Sequence, residues 1–425
     1  MSLKKEKVLI VAPRIWKSDK NYNNSIEELS LLIDTLGLKV CGVIEQKLNS
    51  INPAYFVGSG KAKQIVEQAK LLKANYIVFD EDLSPVQTKN FQKLDEKMKF
   101  IDRSGVILEI FFNNAKSKES KTQVELARLQ YQLPRLTRMW THLERQMGGF
   151  GTRAGAGETQ IEVDRRILRK RISNLKKKLK SIDSERRVQS KRRQSFFRTS
   201  FVGYTNVGKS SLMKAITKSD VLIKNQLFAT LDTTVRRLFI GNSNYVLMSD
   251  TVGFIRKLPT QLVESFKSTL DEVQEADLLL HVVDISHANF EDHIASVNLI
   301  LTEIKSQDKP SIMVFNKIDK SDGVDKRLFK RDENCVAVSA ATGEGIEELL
   351  NKLASSLRKS EKTIMLKVPF ERGDIRAMAH REGFVMREVL EESNWLIEVR
   401  ADKSSIGRLE QFEIDSNSPG LELMQ

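Results

Sequence analysis

The chain has 425 residues, 40% hydrophobic and 29% charged, and 69 lysines and arginines against 56 aspartates and glutamates leave it at +13. Its longest apolar run, near DLLLHVV at 277–283, is too short to cross a bilayer, and the opening MSLKKEKVLIVAP shows no small-residue cleavage site, so neither a membrane span nor a secretory signal is expected. Two cysteines, Cys41 and Cys335, exclude a disulfide framework and fit a reducing, cytoplasmic setting.

Residues 1–115 alternate short β-rich runs with helical patterns. KVLIVAP (7–13), LKVCGVIE (38–45), YIVFD (76–80) and GVILEIF (105–111) read as strands. SIEELSLLIDTLG, GKAKQIVEQAKLLKA and PVQTKNFQKLDEKM between them read as helices. Such alternation predicts an N-terminal α/β domain with a parallel sheet.

The period then changes over residues 116–196. Leu126, Leu129, Leu133, Leu136, Trp140 and Leu143 form one apolar seam; Ile161, Leu168, Ile172, Leu175, Leu179 and Ile182 form a second. Two seamed helices joined by a loop predict an antiparallel hairpin, with Pro134 kinking its first helix. The joining loop holds glycines 148, 149, 151, 155 and 157, far more than a surface turn needs, and Arg153. From Arg165 to Arg198 fifteen basic residues face only Asp183 and Glu185, which accounts for the whole excess charge of the chain. An anionic polymer is the natural partner for such an element.

An α/β pattern returns over 197–357, and 358–425 reads as a small α+β domain with two or three strands. Within the former, strand–glycine loop–helix is written by FFRTSFVGYTNVGKSSLMKAI. Gly203, Tyr204, Thr205, Asn206, Val207, Gly208, Lys209 and Ser210 have phosphate-loop spacing. Glycines let successive N–H groups turn around a phosphate, Lys209 reaches the terminal phosphates, and the Ser210 hydroxyl is a Mg²⁺ ligand. Downstream, Asp250, Thr251, Val252 and Gly253 close an apolar strand; the carboxylate supports the metal and the Gly253 N–H senses a γ-phosphate. Asn316, Lys317, Ile318 and Asp319 close another strand, and Ser339 and Ala340 a third. Each motif is weak alone. In this order, at strand carboxyl ends, they resemble the guanine-nucleotide signature of GTPases with a P-loop GTPase domain.

Asp319 accounts for the base, since a carboxylate accepts from both N1–H and the 2-amino group of guanine. Asn316 would fix the loop and reach N7, the Lys317 stem would lie across the base, and an N–H near Ala340 would meet O6. The segment Phe228, Ala229, Thr230, Leu231, Asp232 supplies the switch threonine; Thr230 is the second Mg²⁺ ligand, with Thr233 and Thr234 as rivals. The catalytic groups are therefore Lys209, Thr230 and Gly253, and the metal ligands Ser210, Thr230 and Asp250. Phe254 follows Gly253 where many GTPases carry a water-orienting glutamine, which predicts slow intrinsic hydrolysis completed from outside. Asn206 matches an asparagine that holds K⁺ in related GTPases; helix capping is the alternative. Gly58, Gly60 and Lys61 in VGSGKAKQ open a helix and read as a strand-to-helix turn, with an RNA phosphate or ATP contact as the alternative.

QVELARLQYQLPRL, WTHLERQMGGFG, GETQIEVDRR, GYTNVGKSSL, LFATLDTTVRRL and DTVGFIRKLP together resemble the HflX family of GTPases, over roughly residues 5–355. The resemblance implies a GTP-hydrolysing, Mg²⁺-dependent factor on the large ribosomal subunit and its RNA, with the hairpin loop near the peptidyl transferase centre. It implies a role in splitting, rescue or recycling of ribosomes. The loop departs from the usual Arg-Gly-Pro-Gly-Glu, running Arg153-Ala154-Gly155-Ala156-Gly157-Glu158. A nucleotide-gated RNA-binding assembly chaperone is the alternative, and an ATP-driven remodeller is disfavoured by Asp319. A monomer is the expected state.

Overall fold

A computed structural model describes residues 6–15, 22–136, 160–191, 196–217, 227–228, 231–240, 245–257, 259, 262, 267–321, 334–391, 393–401 and 403–413. Two compact units divide the chain. The first draws on Met1–Asp183, Lys224–Asp232 and Ile255–Thr269, and the second on Ser184–Ile223, Thr233–Phe254 and Leu270–Gln425. No helix among the described residues is long and apolar enough to cross a membrane.

In the first unit, strands β1 (Lys7–Ile15), β2 (Lys39–Leu48), β3 (Tyr76–Phe79) and β4 (Lys99–Asp102) form a parallel sheet in the order β2-β1-β3-β4. Helices α1 (Tyr22–Thr35), α2 (Ser59–Leu71) and α3 (Pro85–Leu94) are the crossovers that parallel neighbours require. Leu9, Val11, Ile77 and Phe79 pack with Ile65, Phe91 and Phe100 in the core. Ser84 starts α3 with a capping box to Gln87.

The expected strand over 105–111 is instead helix α4 (Arg103–Asn114). Strand β4 is the shorter KFID before it, and Asp102 caps the helix by accepting from the Gly105 N–H at 2.8 Å. GVILEIF is apolar except for Glu109 because most of α4 is buried, and a run that short has no periodicity to separate helix from strand. At its head Arg103, 1% exposed, donates to Asp80 at 2.7 Å and also bonds Glu28. The Ser25 hydroxyl donates to the same Asp80 carboxylate at 2.5 Å, so the buried charge is answered on several sides.

Helix α5 (Lys118–Gln132) and helix α6 (Gln160–Lys191) carry the two seams. Leu126, Leu129, Leu133 and Leu136 pack with Leu168, Ile172, Leu175 and Leu179. Pro134 does not kink a continuing helix: it lies in a single 3-10 turn (Leu133–Arg135) after α5 has ended, as expected of a residue with no N–H to donate. Trp140, Leu143 and the glycine loop 148–157 lie outside the described residues. On α6 the side chains of Arg169, Lys170, Arg171, Lys176, Lys177, Lys178 and Lys180 are exposed.

The second unit holds two sheets. The larger, in the order β10-β9-β8-β5-β7-β6, comprises β5 (Phe197–Gly203), β6 (Thr234–Phe239), β7 (Tyr245–Asp250), β8 (Leu278–Asp284), β9 (Ser311–Asn316) and β10 (Cys335–Ala337). All neighbours are parallel except edge strand β6, which is antiparallel to β7. Helices α7 (Lys209–Thr217), α8 (Lys267–Gln274), α9 (Phe290–Glu303) and α10 (Ile346–Ser360) intervene in sequence. Most of α8 is drawn with the second unit, whose boundary falls at Leu270. The smaller sheet, β11 (Lys362–Pro369), β12 (Gly383–Glu391) and β13 (Asn394–Ala401), is antiparallel with β13 central. Helices α11 (Gly373–Glu382) and α12 (Lys403–Leu409) contribute Ile375, Ala379, Ile406 and Leu409 to its core. This gives the three strands of a small α+β arrangement.

Candidate nucleotide site

Register places the candidate groups on one edge of the larger sheet. Phe201 pairs with Asp250, Gly203 with Val282, and Asp284 with Asn316, so β5, β7, β8 and β9 all end at the same level. A carboxyl-end crevice in a parallel sheet is where ligands bind such folds.

The loop leaving β5 needs its glycines. Gly208 has φ +94°, and a Cβ there would run into the Asn316 side-chain amide. A Cβ on Gly253 would stand 2.8 Å from the Thr205 Cα and 2.9 Å from the Lys209 Nζ, so this position must stay bare for the two loops to meet. Asn206 takes a left-handed φ of +62°. The Phe254 N–H donates to the Gly203 carbonyl at 3.1 Å, and the Thr205 N–H donates to the Phe254 carbonyl at 2.8 Å. Phe254 is 3% exposed: it packs, and its backbone laces the two loops together.

Lys209 begins α7 and is buried, donating to the carbonyls of Gly203 at 3.1 Å and Tyr204 at 2.7 Å. Burial pushes its ammonium down to about 8, and nearby Asp250 opposes that. Burial, with the Lys209 charge added, pushes His281 on β8 down to about 4 and keeps that ring neutral. Bound phosphates would restore the Lys209 proton, so binding takes up a proton above about pH 8. GTP-analogue affinity is therefore expected to fall up to about tenfold per pH unit between pH 8 and 9. Fluorescence titrations at successive pH values check this; a flat profile would show Lys209 already charged in the empty loop.

Ser210 donates its hydroxyl to Asp250 at 2.6 Å, bringing together the two described oxygen donors of the candidate metal site. Asp250 is fully buried, and hard oxygen ligands of this kind suit Mg²⁺. Thr251 donates to the Phe201 carbonyl at 2.6 Å and pins the start of the loop, while Val252 is buried beside it. Ala229 and Thr230 lie outside the described residues; Phe228, Leu231 and Asp232 belong to the first unit.

The base-side groups form one bonded set. Asn316, 1% exposed, donates to the Val207 carbonyl at 2.8 Å and accepts from the Ala340 N–H at 3.0 Å. The Ala340 N–H expected to meet O6 is thus given to Asn316 here. Lys317, at φ +66°, reaches the Asn206 carbonyl at 2.9 Å and Asp284 at 2.6 Å. Ile318 opens a 3-10 turn carrying the exposed Asp319, whose carboxylate accepts from the Ser339 hydroxyl at 2.6 Å. Among the described residues no hydrogen bond of the Asn206 side chain is found. Sequence reasoning overlooked Asp284, which orients Lys317; its position at the end of HVVD, level with Asn316, was the available signal. It also overlooked His293, whose ring stacks on Tyr204 with centroids 4.0 Å apart.

Three family models match successive stretches: GTP-binding GTPase N-terminal over 23–112, GTP-binding GTPase Middle Region over 114–193, and 50S ribosome-binding GTPase over 198–317. The GTPase HflX of Flavobacterium psychrophilum is 49% identical over 366 residues, 81% of this chain and 88% of that protein. The GTPase HflX of Escherichia coli is 41% identical over 382 residues, 89% of each chain. A crystal structure of a GTP-binding protein from Sulfolobus solfataricus in complex with GDP is 25% identical, covering 84% of this chain and 99% of that one with a TM-score of 0.42.

Proposed function

The chain belongs to the HflX family of GTPases, and from that premise we propose that it is a nucleotide-timed factor acting on the large ribosomal subunit in splitting, rescue or recycling. It is a GTPase with a ribosome-binding type of GTPase domain. The finer reading is carried by α6, whose exposed lysines and arginines form a long cationic face suited to RNA phosphates. A cytoplasmic monomer with four parts, 1–115, 116–196, 197–357 and 358–425, fits that task.

In the site, Lys209 stabilises charge on the transferring phosphoryl group, and the Gly253 N–H meets the γ-phosphate. Ser210, Asp250 and Thr230 would hold Mg²⁺, which offsets charge between the β- and γ-phosphates. The remaining nucleotide contacts follow the assignments of the phosphate loop, of Asn316 to Asp319, and of Ser339 and Ala340. Phe254 has no group to orient water, so hydrolysis by the protein alone is slow and the large subunit accelerates it. Asn206 offers K⁺ a side-chain oxygen beside the phosphates.

Cosedimentation with isolated subunits and whole ribosomes, with GTP analogue, GDP or no nucleotide, tests the proposal. Binding to the large subunit strongest with the analogue is expected, together with hydrolysis stimulated by that subunit and faster in potassium than in sodium. Binding only to immature particles would favour an assembly chaperone. Turnover indifferent to ribosomes would reject both.

A further inference from the structure

The turn that joins β8 to α9 is tightly built and touches the phosphate loop. Asp284 ends β8, and its carboxylate accepts from the Ser286 N–H at 3.1 Å and the Ser286 hydroxyl at 2.6 Å. The Ile285 N–H donates to the Asn316 carbonyl at 3.1 Å, and the Phe290 N–H to the His287 carbonyl at 3.2 Å. The His287 ring is fixed as well, because its Nδ1 accepts from the Asn289 N–H at 3.1 Å. Helix α9 then starts at Phe290 and lies against β5 and β8. His293, on its first turn, meets two rings. One is Tyr204 of the phosphate loop, with centroids 4.0 Å and planes 7° apart, and the other is His287, with centroids 4.5 Å apart.

The stack acts where the loop's backbone is busiest. Tyr204 is buried, its carbonyl accepts from the Lys209 ammonium at 2.7 Å, and its backbone bridges to Phe254. Two residues on, the Asn206 carbonyl accepts from Lys317 at 2.9 Å, and Lys317 is itself held by Asp284 at 2.6 Å. The same turn thus reaches the loop twice, at Tyr204 through a ring and at Asn206 through Lys317. Between these two holds the chain enters the left-handed conformation of Asn206, φ +62°, uncommon for a residue with a Cβ.

We propose that His293 is a positioning residue for GTP binding and hydrolysis: its stack on Tyr204 presets the phosphate loop, and with it the place of Lys209, before nucleotide arrives. The imidazole need not touch the nucleotide. A loop already held in shape has less conformational entropy to lose when its N–H groups close around phosphates. GDP and GTP both profit, because both place a β-phosphate in the loop. Hydrolysis profits further, because Lys209 meets the transferring phosphoryl group. His287 adds a second ring to the same support. Plain packing would ask only for an apolar group of similar size at position 293, whereas a stack asks for a flat one. The inference rests on Gly203 to Ser210 as the phosphate loop.

The test uses the full-length protein with Mg²⁺, GDP, a non-hydrolysable GTP analogue and, for turnover, GTP. His293→Ala and His293→Leu are each expected to weaken binding of GDP and the analogue about two- to tenfold, the range of one aromatic pair, and to lower kcat. His293→Phe, which keeps a flat ring, is expected to recover most of both losses. His287→Ala, at an exposed position, should show a smaller loss in the same direction, and it stands in if His293→Ala does not fold. In a double-mutant cycle, Tyr204→Leu with His293→Leu should lose little more than Tyr204→Leu alone, since both remove the same stack. Leucine performing as well as phenylalanine at 293, or losses that simply add in the cycle, overturns the proposal. So do unchanged binding and kcat in His293→Ala. If Lys209→Ala leaves nucleotide binding intact, the phosphate-loop assignment fails and takes the inference with it. If Lys209→Ala abolishes binding while every His293 variant behaves as the native protein, the assignment stands and the inference alone falls.

Discussion

Replacing Asp319 by asparagine is expected to lower GTP affinity by about two to four orders of magnitude while raising affinity for xanthosine triphosphate. The carboxylate would accept two hydrogen bonds from guanine, from N1–H and the 2-amino group. Hydrogen bonds to a charged partner contribute about 1.5–3 kcal/mol each, and every 1.4 kcal/mol is tenfold in affinity. An asparagine amide offers a donor to the 2-amino group, so one attraction becomes a clash of donors. Xanthine carries a 2-oxo group there and accepts from the amide. The Ser339 hydroxyl donates to Asp319 at 2.6 Å and would steady that acceptor for the base, so Ser339→Ala should show a weaker loss in the same direction. Equilibrium titrations with both nucleotides decide the matter. Undiminished GTP binding by the asparagine variant would take base reading away from Asp319.

How legible this site was follows from where its bonds run. The phosphate loop, DTVG and NKID each mark the end of an apolar strand, and short-range pattern sufficed to order them. The seams of α5 and α6 were equally open, because Leu126, Leu129, Leu168 and Leu175 repeat at helical spacing. What failed was local ambiguity or distance in sequence. GVILEIF has β-branched residues in quantity, yet the cap by Asp102 and burial of most of its surface make it helix α4. Asp232, Lys257 and Asp284 form their bonds 115, 176 and 33 residues away, and no periodicity records such partners. Asp232 looked like a nucleotide contact because it sits in the switch segment. Its carboxylate accepts from the N–H groups of Lys116 and Ser117 ahead of α5, a pairing that only tertiary structure could show.

The cationic helix α6 poses the remaining question, whether its charge anchors the protein or does the work. Lys176, Lys177 and Lys178 are exposed and consecutive, so their side chains spread over much of the helix circumference. A polymer that is negative all along its length can meet them without a unique register. Each phosphate left without its lysine should reduce the slope of log affinity against log salt by about 1. Replacing all three lysines by glutamine is then expected to flatten the slope by about 3. At roughly 0.1 M salt, one decade below the 1 M reference, the same change weakens subunit binding by up to about two to three orders of magnitude. GTP affinity should be untouched, since no lysine of the cluster contributes to the nucleotide site. Deleting residues 148–157 removes Arg153 but none of the α6 lysines, so affinity and salt slope should largely persist while ribosome splitting is lost. Salt titrations of subunit binding, run beside a splitting assay, separate the two variants. Equal loss of binding in both would place the main contact in the loop. An unchanged salt slope after lysine replacement would leave α6 with no role in holding RNA.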